Sequence, residues 1–176
     1  MPEPTQPTPI LDDATLAFAA RVFDYARTGD SASLGELLAG GLPANLRNHA
    51  GDSLLMLASY HGHLDTARLL LERGADAELR NARGQTPLAG AAFKGDLPMI
   101  ELLLDHGADV EGASPDGRTA LMIAAMFNRS AIVERLLARG ADPQARDAGG
   151  ATPLSAARMM GAVDTQALLA RLGEVR

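Results

Sequence analysis

At 176 residues, with 47% apolar residues but only 3% aromatics, the chain can build one domain's core but must fill it with small aliphatic side chains. It has no cysteines, which excludes a disulfide framework and a thiolate site. A net charge of −6 argues against a nucleic-acid binder, and no apolar run approaches the roughly 18 residues of a membrane span.

The amino terminus shows neither the basic segment nor the apolar stretch of a secretory signal, so a cytoplasmic location is expected. Of the 16 basic residues only Lys94 is a lysine, and this Arg bias together with the Ala richness points to a GC-rich bacterial genome.

Residues 1–11 carry Pro2, Pro4, Pro7 and Pro9 between small polar residues, which predicts an extended, disordered tail rather than a ligand motif. Helical patterning begins near Asp12. Glycines then recur every 33 residues in three ladders. One runs Gly51, Gly84, Gly117, Gly150, and a second runs Gly41, Gly74, Gly107, Gly140, Gly173. The third is Gly29, Gly62, Gly95 and Gly161, with Asn128 in the missing slot. A single period without insertion or deletion predicts a stack of like supersecondary units.

Within each unit the helix signals repeat. Ser53-Leu54-Leu55 opens a helix without a proline, so a less firm start is expected there. Gly84-Gln85-Thr86-Pro87-Leu88 is the most legible opening: Thr86 can cap orphan N–H groups, and Pro87 sits at N1, where its missing N–H costs nothing. Ala91 and Ala92 keep this helix thin, and Gly95 ends it. A second helix follows with Ile100, Leu102, Leu103 and Leu104 as its buried face, and Gly107 stops it before Ala108-Asp109. Thr119-Ala120-Leu121 and Thr152-Pro153-Leu154 open the later first helices, while Arg135 interrupts an otherwise apolar helix face.

The pattern G-x-T-P-L-x-x-A-A-x-x-G, an L-L pair, then G-A-D, resembles the ankyrin repeat. It covers residues 12–176, with central repeats at 48–80, 81–113 and 114–146 and modified end repeats at 15–47 and 147–176. The resemblance implies an all-α repeat solenoid of stacked helix-turn-helix units with β-hairpin-like turns and a concave groove. The His that usually follows T-P-L is absent, with Met56, Ala89, Met122 and Ser155 in its slot. Apolar packing is expected to replace its hydrogen bond.

Two motifs look chemical and are not. Gly51-Asp52-Ser53-Leu54 matches a serine-hydrolase signature, yet Ser53 occupies the slot of Thr86, Thr119 and Thr152 and reads as a capping hydroxyl. His61 and His63 flank Gly62 with His49 nearby, but a zinc site needs three or four ligands in tetrahedral reach. There is no glycine-rich loop followed by Lys. Neither a catalytic residue, a metal nor a cofactor is expected.

The resemblance implies that partners contact the turn tips and the exposed ends of the first helices. Carried over by position, the helix-end ladder is Arg27, Tyr60, Phe93, Met126 and Met159, with Thr28, His61, Lys94, Phe127 and Met160 beside it. Exposed aromatic and Met side chains suit a binding stripe; the other reading is that some fold back between repeats as core. At the turns, Arg80, Arg83 and Arg118 stand as orienting charges, with Arg47 and Arg146 in the row and Ala113 interrupting it. Asp65, Glu72, Glu101, Asp105 and Glu134 belong to the second helices, which predicts a basic rim and an acidic back. The expected function is a non-catalytic, monomeric scaffold or adaptor that binds a protein with an acidic and apolar surface, without nucleic acid or membrane. An inhibitor or immunity-type regulator blocking one enzyme would use the same surface.

Overall fold

A computed structural model describes residues 12–174, and the proline-rich segment 1–11 lies outside them. Among the described residues there are ten helices. The first helices of successive repeats are α1 (Asp13–Thr28), α3 (Leu54–Tyr60), α5 (Pro87–Lys94), α7 (Ala120–Met126) and α9 (Pro153–Met159). The second helices are α2 (Ser31–Ala39), α4 (Leu64–Glu72), α6 (Leu97–Asp105), α8 (Ser130–Ala138) and α10 (Val163–Glu174). None of the described helices is long and apolar enough to cross a membrane.

Each of α3, α5, α7 and α9 starts where a hydroxyl can satisfy a free backbone donor. Ser53, Thr86, Thr119 and Thr152 accept from the N–H three residues on, at 3.0, 3.2, 3.3 and 3.2 Å. The Ser53 helix begins in the same slot as the others, despite lacking the proline. Where the sequence lacks the usual His, Met56, Ala89 and Met122 are buried. Ser155 instead returns a bond, its Oγ accepting from Thr152 N at 2.8 Å to complete a capping box.

The glycine slots are backbone requirements with one exception in each direction. Asn128 takes the left-handed conformation at φ 57° in the slot of Gly62 and Gly95. Its side chain then caps α10, accepting from Asp164 N at 3.0 Å and Thr165 N at 3.1 Å, which a glycine could not do. Gly173, the last member of its ladder, lies inside α10.

Between repeats the chain forms fingers whose tips are closed by one side chain. Asn48 Oδ1 accepts from Ala50 N and Asp52 N, Asn81 Oδ1 from Arg83 N and Gln85 N, and Asp147 Oδ1 from Gly149 N and Ala151 N. Successive fingers bond through Ala82 N to Ala50 O (3.3 Å) and Ala148 N to Asp116 O (2.8 Å). At the junction between them Pro115 has no N–H to donate, and its ring packs on Gly84 instead.

A second ladder ties the finger bases together. Asn45 Oδ1 accepts from Asp76 N at 2.8 Å, Glu78 Oε1 from Asp109 N at 2.9 Å, and Glu111 Oε1 from Asp142 N at 2.6 Å. Burial pushes the Glu78 carboxyl above its ordinary value, aided by the neighbouring Asp109 and Asp76 charges and opposed by the Asp109 N–H bond.

The core runs continuously through the stack, with Leu34, Leu70, Ile100, Leu103, Leu121 and Leu136 fully buried between the two rows of helices. First helices meet through Ala58, Ala91, Ala92, Ala124, Ala125 and Ala157, all without exposed surface. Small residues let the first helices approach more closely than the second helices do, so the stack curves with the first helices on its inner side.

Gly90 lies within α5, where a Cβ would meet only the Tyr60 ring at 3.5 Å and Met56 Sδ at 3.9 Å, both ordinary contacts. Gly90→Ala is therefore expected to stabilise by about 0.5–1 kcal/mol through the unfolded chain's lost freedom. Thermal unfolding reads this as a rise in midpoint, and a fall would mean that Tyr60 cannot move a few tenths of an ångström.

Candidate functional site

The ends of the inner helices are where the sequence placed a binding stripe. Five of its residues are well exposed: Tyr60 at 38%, Phe93 at 41%, Phe127 at 38%, Met159 at 75% and Met160 at 52%. Met126 is half-buried, so this member does fold partly into the stack. Met159 holds the equivalent position on α9, with no helix beyond α10 among the described residues.

The exposed rings touch across repeats. Phe93 meets Phe127 edge to face at a centroid distance of 4.8 Å and 87°. Lys94 Nζ stands 5.0 Å from the centre of the Tyr60 ring, a cation–π contact that joins α5 to α3. Tyr60 in turn meets the His61 ring edge-on at 5.6 Å. The result is two ring pairs, Phe93 with Phe127 and Tyr60 with His61, bridged by Lys94, which follows Phe93 in the chain and stands over the Tyr60 ring.

The histidines have separate duties. His63 Nε2 lies 2.8 Å from Arg27 O, tying the loop after α3 to the end of α1. Its ring stacks at 6.4 Å against His61. Burial, then His63, Arg27 and Lys94, hold the His61 imidazole below its ordinary value. Among the described residues, no three His, Cys, Asp or Glu side chains stand close enough together to hold a metal.

Ser53 is 2% exposed, and its Oγ is engaged by Met56 N at 3.0 Å. A nucleophile must reach a substrate; this hydroxyl faces its own helix.

At the finger tips, Arg80 and Arg83 are exposed and make no ion pair among the described residues. Arg118 differs: its Nε lies 3.2 Å from Asp116 Oδ2. The Ser114 hydroxyl and Arg118 together hold the Asp116 carboxyl below its ordinary value. Arg146 is also engaged, donating to Gly150 O at 3.0 Å.

The acidic back expected from the sequence is offset at Glu101 and Asp105, while Asp65, Glu72 and Glu134 make no ion pair among the described residues. Arg135 Nε pairs with Glu101 at 2.6 Å, and Arg139 reaches both Glu101 (3.7 Å) and Asp105. Arg135 thus points to solvent rather than into the apolar face, because the residue it must pair with sits one helix away on α6.

Sequence reasoning missed the finger-closing side chains and the carboxylate ladder. Their signal was present as Asn48-x-x-Gly51, Asn81-x-x-Gly84 and Asp147-x-x-Gly150, an Asx side chain preceding a left-handed glycine by three. The ladder's 31-residue reach from Glu78 to Asp109 was not readable, because it depends on how adjacent repeats are offset.

A family model described as ankyrin repeats (three copies) matches residues 22–113 and 91–175. The chain is also similar to an ankyrin repeat protein of Pseudomonas aeruginosa, 66% identical over 63 residues. That similarity spans 36% of this chain and 37% of the relative's length. Stacked helix pairs, capped first helices and hydrogen-bonded fingers agree with a match that reaches from Val22 to Leu172 and beyond: the chain belongs to the ankyrin repeat family.

Proposed function

We propose that the protein is a non-catalytic scaffold or adaptor that holds one partner protein in its concave groove, with Tyr60, Phe93 and Phe127 as anchors. Ankyrin repeats generally serve as protein–protein interaction modules. The observation that carries this reading is the row of half-covered rings on the inner helix ends, Phe93 against Phe127 and Tyr60 under Lys94. A soluble monomer gains nothing from leaving such rings half-covered, whereas aromatic side chains set in partly formed pockets are what partners bury most profitably. His61, Met126, Met159 and Met160 extend the patch, and Arg80, Arg83 and Arg118 border it at the finger tips.

Tyr60→Ala combined with Phe93→Ala is expected to weaken partner capture by about 2 kcal/mol or more. Because both rings are already well exposed, the cost to stability stays well under the ~2–5 kcal/mol of a buried leucine. The measurement is affinity capture from cells that make the protein, quantified by mass spectrometry, beside a thermal melt of the double variant. Undiminished capture, or a collapse of the melting temperature, would sink the assignment of these rings to binding.

A further inference from the structure

We infer that the groove's occupant is an acidic, apolar segment: a stretch of partner chain in which carboxylates flank aromatic or aliphatic side chains. This rests on the groove reading above and adds the chemistry of what fills it.

The argument comes from which charges are already engaged. On the finger tips and first-helix ends, Asp52 accepts from Asn81 at 3.2 Å, Asp116 holds Arg118 and Ser114, and Asp147 closes its own turn. In the loops behind the ring patch, Asp30 and Asp96 cap α2 and α6. Among the described residues, the carboxylates with neither a hydrogen bond nor an ion pair are Asp13 at the start of α1 and Glu36, Asp65, Glu72 and Glu134 on second helices.

The cations divide differently. Arg47, Arg80 and Arg83 at the fingers, and Arg158 at the end of α9, make no hydrogen bond or ion pair among the described residues. Lys94 has only the face of the Tyr60 ring. Arg21 on α1, and Arg68, Arg73 and Arg171 on or beside second helices, are likewise unengaged, but they share those elements with the unengaged carboxylates. The inner side therefore offers cations on both borders of an aromatic patch and no unengaged carboxylate between them, while the outer side is mixed.

Cations without partners on a surface draw an anionic ligand and set its register. The rings between them would take up the apolar side chains. From Tyr60 to Met159 the stripe crosses three inter-helix spacings of about 8–10 Å each, so it accommodates roughly 25–30 Å of occupant. That is on the order of eight or nine residues of extended chain.

The test is a random-peptide display selection on the immobilised protein, followed by fluorescence anisotropy on the enriched synthetic peptides. Expected are sequences rich in Asp and Glu beside Phe, Leu or Trp. Their affinity should fall about tenfold or more in Arg80→Glu/Arg83→Glu/Lys94→Glu, and should weaken with added salt on the unmodified protein. The salt series stands even if the charge-reversed variant folds poorly, which circular dichroism checks. A pool that is neutral, basic or unenriched overturns the inference, as does salt-independent binding. Neutral peptides that are lost in Tyr60→Ala/Phe93→Ala would remove the acidic chemistry and leave the groove reading standing. Peptides indifferent to both sets of substitutions would remove both.

Discussion

Leu103→Ala is expected to destabilise the protein by about 2–5 kcal/mol. Leu103 is fully buried on α6, which packs against α5 in its own repeat and against α4 and α8 on either side. A terminal repeat could lose such a residue and fray alone. A central repeat cannot, because each repeat owes its stability to its neighbours' faces, and a gap in the middle weakens two interfaces at once. Chemical denaturation reads the effect as a lower midpoint. Leu172→Ala, at 41% exposure on α10, serves as the control and should move it little. Equal effects would mean that the core is not shared between repeats as the packing indicates.

Gly84→Ala is the second large effect. Gly84 has φ +74°, where any Cβ costs about 1–2 kcal/mol. Its Cβ would also lie 2.1 Å from Pro115 Cδ in the next finger, and a proline ring cannot rotate aside. Relieving that overlap means displacing the finger, at about 1–3 kcal/mol more. Gly150 has nearly the same conformation, φ +81°, with nothing within 4 Å of its Cβ. Comparing the two alanine variants therefore separates conformation from collision inside one protein. With roughly 2–4 °C of melting temperature per kcal/mol at this size, Gly84→Ala should fall below Gly150→Ala by several degrees. Matching melts would show that the fingers are not in contact at Pro115.

Much of this was legible before any coordinates. The capping hydroxyls were readable because capping is local: a side chain and an N–H three residues apart share one turn of chain. Ser53 could be removed from catalysis on the same ground. The exposure of the ring ladder was open, since periodicity says which positions are equivalent but not how far each is covered. Tyr60 and Met126 illustrate this. They occupy equivalent slots, yet one is exposed and the other half-buried, according to what the next repeat lays against them.

The charges show what local reading leaves out. Counting acids on second helices predicted an acidic back, and Asp65, Glu72 and Glu134 stay unpaired there among the described residues, but Arg135 and Arg139 reach across to Glu101 and Asp105 on α6. Those pairs span 34 residues, and pairing at that distance depends on the offset between repeats.

By itself the amino-acid sequence determined the repeat, its period, the helix starts and the family, because each rests on interactions within one turn or one unit of chain. Tertiary structure alone decided which rings meet, which cations are left without a carboxylate, and which glycine lies under a neighbour's proline. Those depend on the relative placement of adjacent units, which packing of the shared core sets and no single repeat encodes.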